Sequence, residues 1–543
     1  MKEEKDVRIT VRDGVKIGVR IYRPDGGGPF PTLFAVSPYR YDNNELPASP
    51  QFLWRETGPI PWYIEQGYAY VHADVRGSGF SEGEFGFLDK KEQTDLYDVI
   101  EWIAGQPWSN GKVGAIGQSY YCMTQWFMGI QDPPHLACLG AYDGMNDVYR
   151  HMGYPGGIEG FFLAVWFAGS VRFSNLFPAN GDHPRWVIPD LMESVHRHPF
   201  YDDWWKERCA VEHLDKIKVP LFAIGAWAKN DFHLPGIILG YQRARGPRKL
   251  FITGTATPFS AAADFSSIDL HKKHLLPFYD KYLKGLKTSY DERPNVEYEV
   301  HNTRAVRSFD SWPPPGTRPT RFFLGKGPTG SVTSLNDGAL GTSAPGADGG
   351  STTYSYPQPS WTMGHVTFGR EGPDPARAVL TFASQPLTAD MEIAGHGKLV
   401  VYASSTRNDM DVIVKVSEQF QQAPEERAKG IQPRFQLVCR GWHRASHMDR
   451  DPRFNSDDIP YYTHEKSTPL TPGKVYKLEI ALMPSAYRFR AGNRVRIDIA
   501  CVDAQLTDPL TVHFYRPDKI GADTFYHDAD HPSQLILPVL NAD

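Results

Sequence analysis

Apolar and polar residues alternate across positions 7–23, on either side of Asp13-Gly14. That period of two predicts a β-hairpin, because residues two apart share a strand face and Asp-Gly accepts the backbone of a tight turn. Two continuous apolar runs follow, at 32–36 and 68–73, each bounded by turn residues. They predict strands buried on both faces, as in a sheet flanked by helices. Leu96, Val99, Ile100 and Ile103 then recur at helical spacing, with Thr94 as the expected N-cap. A short strand over 112–116, a sharp turn at 117–121 and a further apolar helix complete the rhythm of a doubly wound α/β sheet.

The rhythm breaks between about 149 and 211, where Trp, Phe, His and Pro are abundant and a helical cap insertion is expected. It resumes at VPLFAIGAW from Val219 and RKLFITG from Arg248, and HKKHLLPFYDKYLKG closes the unit at Gly285. Beyond about 318 the segments KLVVYAS, DVIVKVSE, NRVRIDIA and SQLILPVL alternate with turn-rich stretches, which predicts an antiparallel sandwich or jelly roll. The expected organisation is therefore an α/β domain built from 1–148 and 212–317, a cap over 149–211, and a β-sandwich over 318–543.

A length of 543 residues agrees with more than one core. The net charge of -5 is spread over interspersed acids and bases, without the basic stripe that binds phosphate backbones, so nucleic acid is not an expected partner. The charged start, MKEEKDVRITVRDG, lacks the apolar run of a signal peptide, and no stretch approaches a spanning helix of about 18 apolar residues. A cytoplasmic protein without a membrane partner is expected. The five cysteines are scattered without CxxC spacing, which points to reduced thiols rather than a disulfide framework or a zinc site.

The segment VGAIGQSYY holds the candidate chemistry. Ser119 lies two residues after Gly117, on a strand-to-helix turn of the kind that exposes a nucleophilic hydroxyl above a sheet. Tyr121 stands where G-x-S-x-G would have its second glycine. G-x-S alone is a common tripeptide and Ser119 would then be an ordinary turn serine; the strand before it and the helix after it favour the nucleophile.

Together with VRDGVKIGVRIYRP, SPYR, ADVRGSGFSEGEF, QPWSNGKVGAIGQSYY, GWHRASH and YRFRAGNRVRIDIA, this turn makes the chain resemble the CocE/NonD family of serine hydrolases. The resemblance implies an α/β-hydrolase fold with a C-terminal jelly roll. It implies Ser119 as nucleophile, and Tyr39 (through its hydroxyl) and Tyr120 (through its N–H) as oxyanion donors, with no metal or organic cofactor. Asp74 and Arg76 match a signature whose role is structural, and Asp143 and Asp147 read as loop and cap residues.

The rest of the family's triad is not met. The acid position, two after Trp227, is Lys229, which leaves Asp231 as the nearest carboxylate; the histidine position is Pro258, and no histidine falls between Lys249 and Leu270. His233 is the best replacement, with His271 and His274 weaker. The expected activity is hydrolysis of an ester or amide of a small organic molecule, or acyl transfer from it, through a Ser119 acyl-enzyme. Two alternatives stay open at this point. One is non-hydrolytic chemistry by oxyanion stabilisation, such as cyclisation, elimination or isomerisation; the other is ligand binding by a protein that has lost the reaction. Trp166, Phe167, Phe173, Trp186, Trp204 and Trp205 form an acyl pocket or simply bury the cap. A homo-oligomer is compatible with all of this.

Overall fold

A computed structural model describes the chain except for residues 44, 46–55, 177–185, 358–366, 370–371, 375–378, 458, 504–512, 514–515, 517–518 and 541–543. The described residues fall into two compact units. The first comprises Met1–His151, Leu163–Glu299 and Arg304–Trp312; the second comprises Met152–Phe162, Val300–Thr303 and Pro313–Asp543.

The first unit is built on a sheet whose strands are β1 (Lys2–Thr10), β2 (Lys16–Arg23), β3 (Phe30–Ser37), β4 (Ala69–Asp74), β5 (Ser109–Gly117), β6 (Leu136–Tyr142), β7 (Leu221–Ala226), β8 (Arg248–Thr253), β9 (Val296–Glu299) and β10 (Val306–Phe309). Their order is β1-β2-β4-β3-β5-β6-β7-β8-β9-β10. The hairpin stands where the alternation placed it, with Val7 opposite Val19 and Ile9 opposite Ile17. From β4 to β9 each neighbouring pair is parallel. Every residue of β4 and of β7 is buried, as the continuous apolar runs require.

The helix after β4 begins earlier than its apolar spacing predicted, at Lys90–Ala104, and its cap is Asp89 rather than Thr94. The Asp89 carboxylate accepts from the Glu92 N–H at 2.9 Å, satisfying one orphan amide of the first turn. Thr94 sits inside the helix and bonds back to the Lys91 carbonyl.

The stretch 149–211 is not of one piece, because Met152–Phe162 clusters with the second unit. Gly156 explains the close seating there: a Cβ on it would stand 2.3 Å from the Trp442 carbonyl oxygen. The second unit is otherwise an all-β assembly in which thirteen described strands connect. Alternate residues such as Leu399 and Val401, Val412 and Val414, and Ile497 and Ile499 fill its core.

All five cysteines are buried and free of disulfides. Among the described residues no helix is long and apolar enough to cross a membrane.

Candidate active site

Ser119 occupies a backbone geometry that most side chains avoid, with φ 60° and ψ -122° between the end of β5 and the helix Tyr120–Gln131. Such a conformation costs about 1–3 kcal/mol and persists only where its surroundings enforce it. Here they do. Its N–H donates to the Asp143 carbonyl at 2.8 Å, while its own carbonyl accepts from the amides of Cys122 and Met123 at 2.9 Å. Gly117 has φ 130°, and a Cβ there would lie 2.3 Å from the Tyr121 Cβ. The missing side chain of Gly117 thus makes the room that lets a tyrosine stand at the position expected to be glycine. Tyr121 uses that room to reach the ring of His72, 2.8 Å from its hydroxyl.

Tyr39 lies just past β3, with its hydroxyl oxygen accepting from the Trp166 indole N–H at 2.6 Å. The Ser119 side chain is near enough to that hydroxyl to favour its ionised form. Since the indole occupies a lone pair, the phenol proton is left for another acceptor. The ring is fixed edge-on by Tyr120, Tyr121 and Trp166, with centroids 6.0–6.4 Å away. Burial, reinforced by the nearby Glu56 carboxyl, pushes the phenol above its ordinary range, so it stays protonated and able to donate. The Tyr120 N–H belongs to the first turn of its helix, whose amides have no intrahelical acceptor. Of the aromatic residues in the insertion, Trp166 reaches this site, whereas Phe173 and Trp186 are exposed.

The proton-transfer side differs from what the sequence pointed to. His233 is buried, and its Nδ1 lies 3.2 Å from Oδ1 of Asp143, so the carboxylate beside it is Asp143. That contact is out of hydrogen-bonding alignment, and neither ring nitrogen of His233 makes a hydrogen bond, to Ser119 or to anything else. Burial pushes the imidazole toward its neutral form against the pull of Asp143. Asp231 is buried in the turn after β7.

Lys229, two residues after Trp227, pairs with Asp143 Oδ2, which also accepts from Gln118 Nε2 at 2.5 Å. Burial alone would raise the Asp143 carboxyl. Lys229 and His233 outweigh it and hold the group well below the usual carboxylate range. Asp143, read from the sequence as a loop or cap residue, is therefore the centre of a buried charge cluster. Asp74 accepts from the amides of Tyr41 and Phe80, and Arg76 pairs with Asp95 at 2.6 Å.

Pro258 is the first residue of the helix Pro258–Ser266, capped by Thr257 through reciprocal bonds with Ser260. Proline suits that position because its missing N–H has no intrahelical partner to lose. His271 is spent on Tyr63 and the Phe265 carbonyl, both at 2.8 Å, and His274 stacks on Phe251 beside Arg293.

The residue the sequence did not disclose is Glu56. It belongs to no motif, yet the Ser119 side chain is near enough to lower the proton affinity of its carboxyl. Its backbone is tied to the nucleophile turn, its carbonyl accepting from the Gln118 N–H at 2.7 Å. Burial raises the acid, Lys229 lowers it, Asp143 raises it, and Ser119 lowers it, with the balance at about 8. Its Oε2 is buried without a hydrogen-bond partner. Among the described residues no group of three or more His, Cys, Asp or Glu is arranged to hold a metal ion.

An ordered strand-to-helix serine at the carboxyl ends of a largely parallel sheet places the chain among the α/β-hydrolases. Residues 13–256 match the X-Pro dipeptidyl-peptidase (S15 family) model, and residues 288–536 match the X-Pro dipeptidyl-peptidase C-terminal non-catalytic domain. Cocaine esterase of Rhodococcus sp. (strain MB1 Bresler) is 24% identical, with 98% of each chain covered. The crystal structure of a CocE/NonD family hydrolase from Staphylococcus aureus is 25% identical, with a TM-score of 0.80 over 99% of this chain and 93% of that one. An α-amino acid ester hydrolase, 21% identical, shares the fold with a TM-score of 0.73 over 99% and 96% of the two chains. The chain belongs to the CocE/NonD family of serine hydrolases.

Proposed function

We propose that the protein cleaves an ester or amide of a small organic molecule through an acyl-enzyme on Ser119, passing the acyl group to water or to another small acceptor. The observation that carries this reading is the strained strand-to-helix turn that holds Ser119, with the buried Tyr39 close by. Attack on the carbonyl carbon moves the C=O electron pair onto oxygen. The Tyr39 O–H and the Tyr120 N–H are the donors that meet this charge, in a site where little water competes. Collapse of the tetrahedral adduct expels the alcohol or amine, and an incoming water repeats the sequence to free the acid. The relatives' hydrolytic activities support this reading, and they lend none to the non-hydrolytic alternative.

A fluorophosphonate probe should label the wild-type protein stoichiometrically, with the adduct mapped to Ser119 by peptide mass spectrometry. Ser119→Ala should abolish both the adduct and the turnover of activated esters, a loss on the order of 10⁶-fold for a working nucleophile. Turnover that survives Ser119→Ala sinks the proposal.

A further inference from the structure

We propose that the first unit carries a second binding site, for a small carboxylic acid with an apolar body, in the cavity that Arg208 lines beside the loop 83–89. Neither Ser119 nor Tyr39 lines it, so this site goes beyond the acyl-enzyme reading and does not depend on it.

The cavity measures about 320 Å³, which lies within the range that accepts small molecules. Much of its wall comes from the loop 83–89, the helix Leu191–Arg197 and the helix Asp203–Arg208. Phe85, Phe87, Leu191 and Trp204 supply the apolar surface.

The charged residues of the lining are balanced apart from one. Arg76 pairs with Asp95 at 2.6 Å and with Asp13 at 3.0 Å. Asp89 spends its carboxylate on the Glu92 amide. Glu84 and Lys91 are exposed and of opposite sign.

Arg208 differs. Its side chain is 11% exposed, yet its ion pair is a contact of 3.4 Å to Glu207, a side chain 43% exposed. The same Glu207 oxygen also accepts from the Lys90 amide at 3.1 Å. A loose pair of that kind contributes little. Nη1 donates to the Trp204 carbonyl at 2.8 Å, and the guanidinium lies 4.2 Å from the centre of the Trp204 ring. Nε is buried without an acceptor. Burial outweighs the surrounding acids and lowers the proton affinity of the group. A carboxylate entering the cavity supplies the counter-charge that this guanidinium lacks, in the planar form it binds best.

The aromatic wall is held in a costly shape. Phe87 and Leu88 have φ 52° and 64°, two successive side-chain-bearing residues in the left-handed region. Such strain persists only where the surroundings enforce it. The Leu88 amide donates to the Glu92 carboxyl at 2.9 Å, and the Leu88 carbonyl accepts from Gln93 Nε2 at 2.8 Å. That same Nε2 donates to the Glu207 carbonyl at 2.8 Å, tying the loop to the helix that ends in Arg208. A fixed apolar wall and an under-paired cation in one cavity suit a ligand with a carboxylate at one end and an apolar group at the other.

Isothermal titration calorimetry of phenylacetate into the full chain carrying Ser119→Ala tests the site without turnover. Phenylacetate should bind with a Kd on the order of 1 mM or tighter. Arg208→Gln should weaken that binding about 10–100-fold. Phenylacetamide has the same shape without the charge, and inorganic phosphate has the charge without the apolar body; both should bind more weakly than phenylacetate. If circular dichroism shows that Arg208→Gln does not fold, Ser194→Trp carries the test. It fills the cavity from a half-buried helix position, and binding should be lost. Undiminished affinity in the folded variant overturns the proposal, as does phenylacetamide or phosphate bound as tightly as phenylacetate. So does an absence of phenylacetate binding at about 10 mM. None of these outcomes touches the acyl-enzyme reading, which fails instead if turnover survives Ser119→Ala.

Discussion

The two halves of this active site are held by different kinds of constraint. Around Ser119 the control is in the backbone: a positive φ, a glycine with no room for a Cβ, and amide-to-carbonyl bonds to Asp143, Cys122 and Met123. On the other side the control is in side-chain charge, where Glu56, Asp143 and the pair Lys229 and His233 come from three separate connections and balance one another. The comparison teaches that a backbone-built half admits few substitutions, because a clash of 2.3 Å cannot be rearranged away. A charge-built half can exchange its members, provided each buried ion keeps a partner.

The strongest challenge to that contrast is Lys229→Met. Asp143 has a side chain with 0% exposure and Lys229 one with 8%, so removing the cation strands a buried carboxylate. The expected cost is about 3–5 kcal/mol, read as a drop in denaturant midpoint at neutral pH. The sign with pH follows from the depressed carboxyl. Its stabilisation is present above the unfolded value of about 3.9 and disappears as pH falls through the lower folded value, so wild type and variant should converge in acid. Equal stability of the two proteins at neutral pH would dissolve the distinction between the halves.

Tyr39→Phe probes the backbone-built half with its packing preserved. The ring still meets Tyr120, Tyr121 and Trp166, but the donor is gone, and kcat should fall about 10²–10³-fold with KM little changed. An effect confined to KM would assign the hydroxyl to substrate binding.

The smallest expected effect belongs to Pro258→His. A histidine there enters the first turn of a capped helix, and the Asp143 carboxylate is already taken by Lys229 and Gln118. Without a carboxylate to orient it, the new imidazole should raise p-nitrophenyl acetate hydrolysis by less than about tenfold. A gain of about 10²–10⁴-fold would mean that the site otherwise lacks a base.

By itself the sequence determined the periodicities: the hairpin, the buried parallel strands, the nucleophile turn and the alternating strands of the second unit. Each depends on residues a few positions apart, whose spacing is preserved in the chain. The helix cap was misplaced from Asp89 to Thr94 because both are good caps, and only the Glu92 amide chooses between them. Lys229 and Pro258 are read from the sequence as departures from the family's pattern. The charge cluster around Asp143 was not legible. Glu56 and Ser119 are 63 positions apart in the chain, and Asp143 meets Lys229 because β6 and β7 end side by side. A lone glutamate in an irregular connection carries no period and no motif. Its proton affinity rises only when folding buries it, and that burial is a property of the tertiary structure alone.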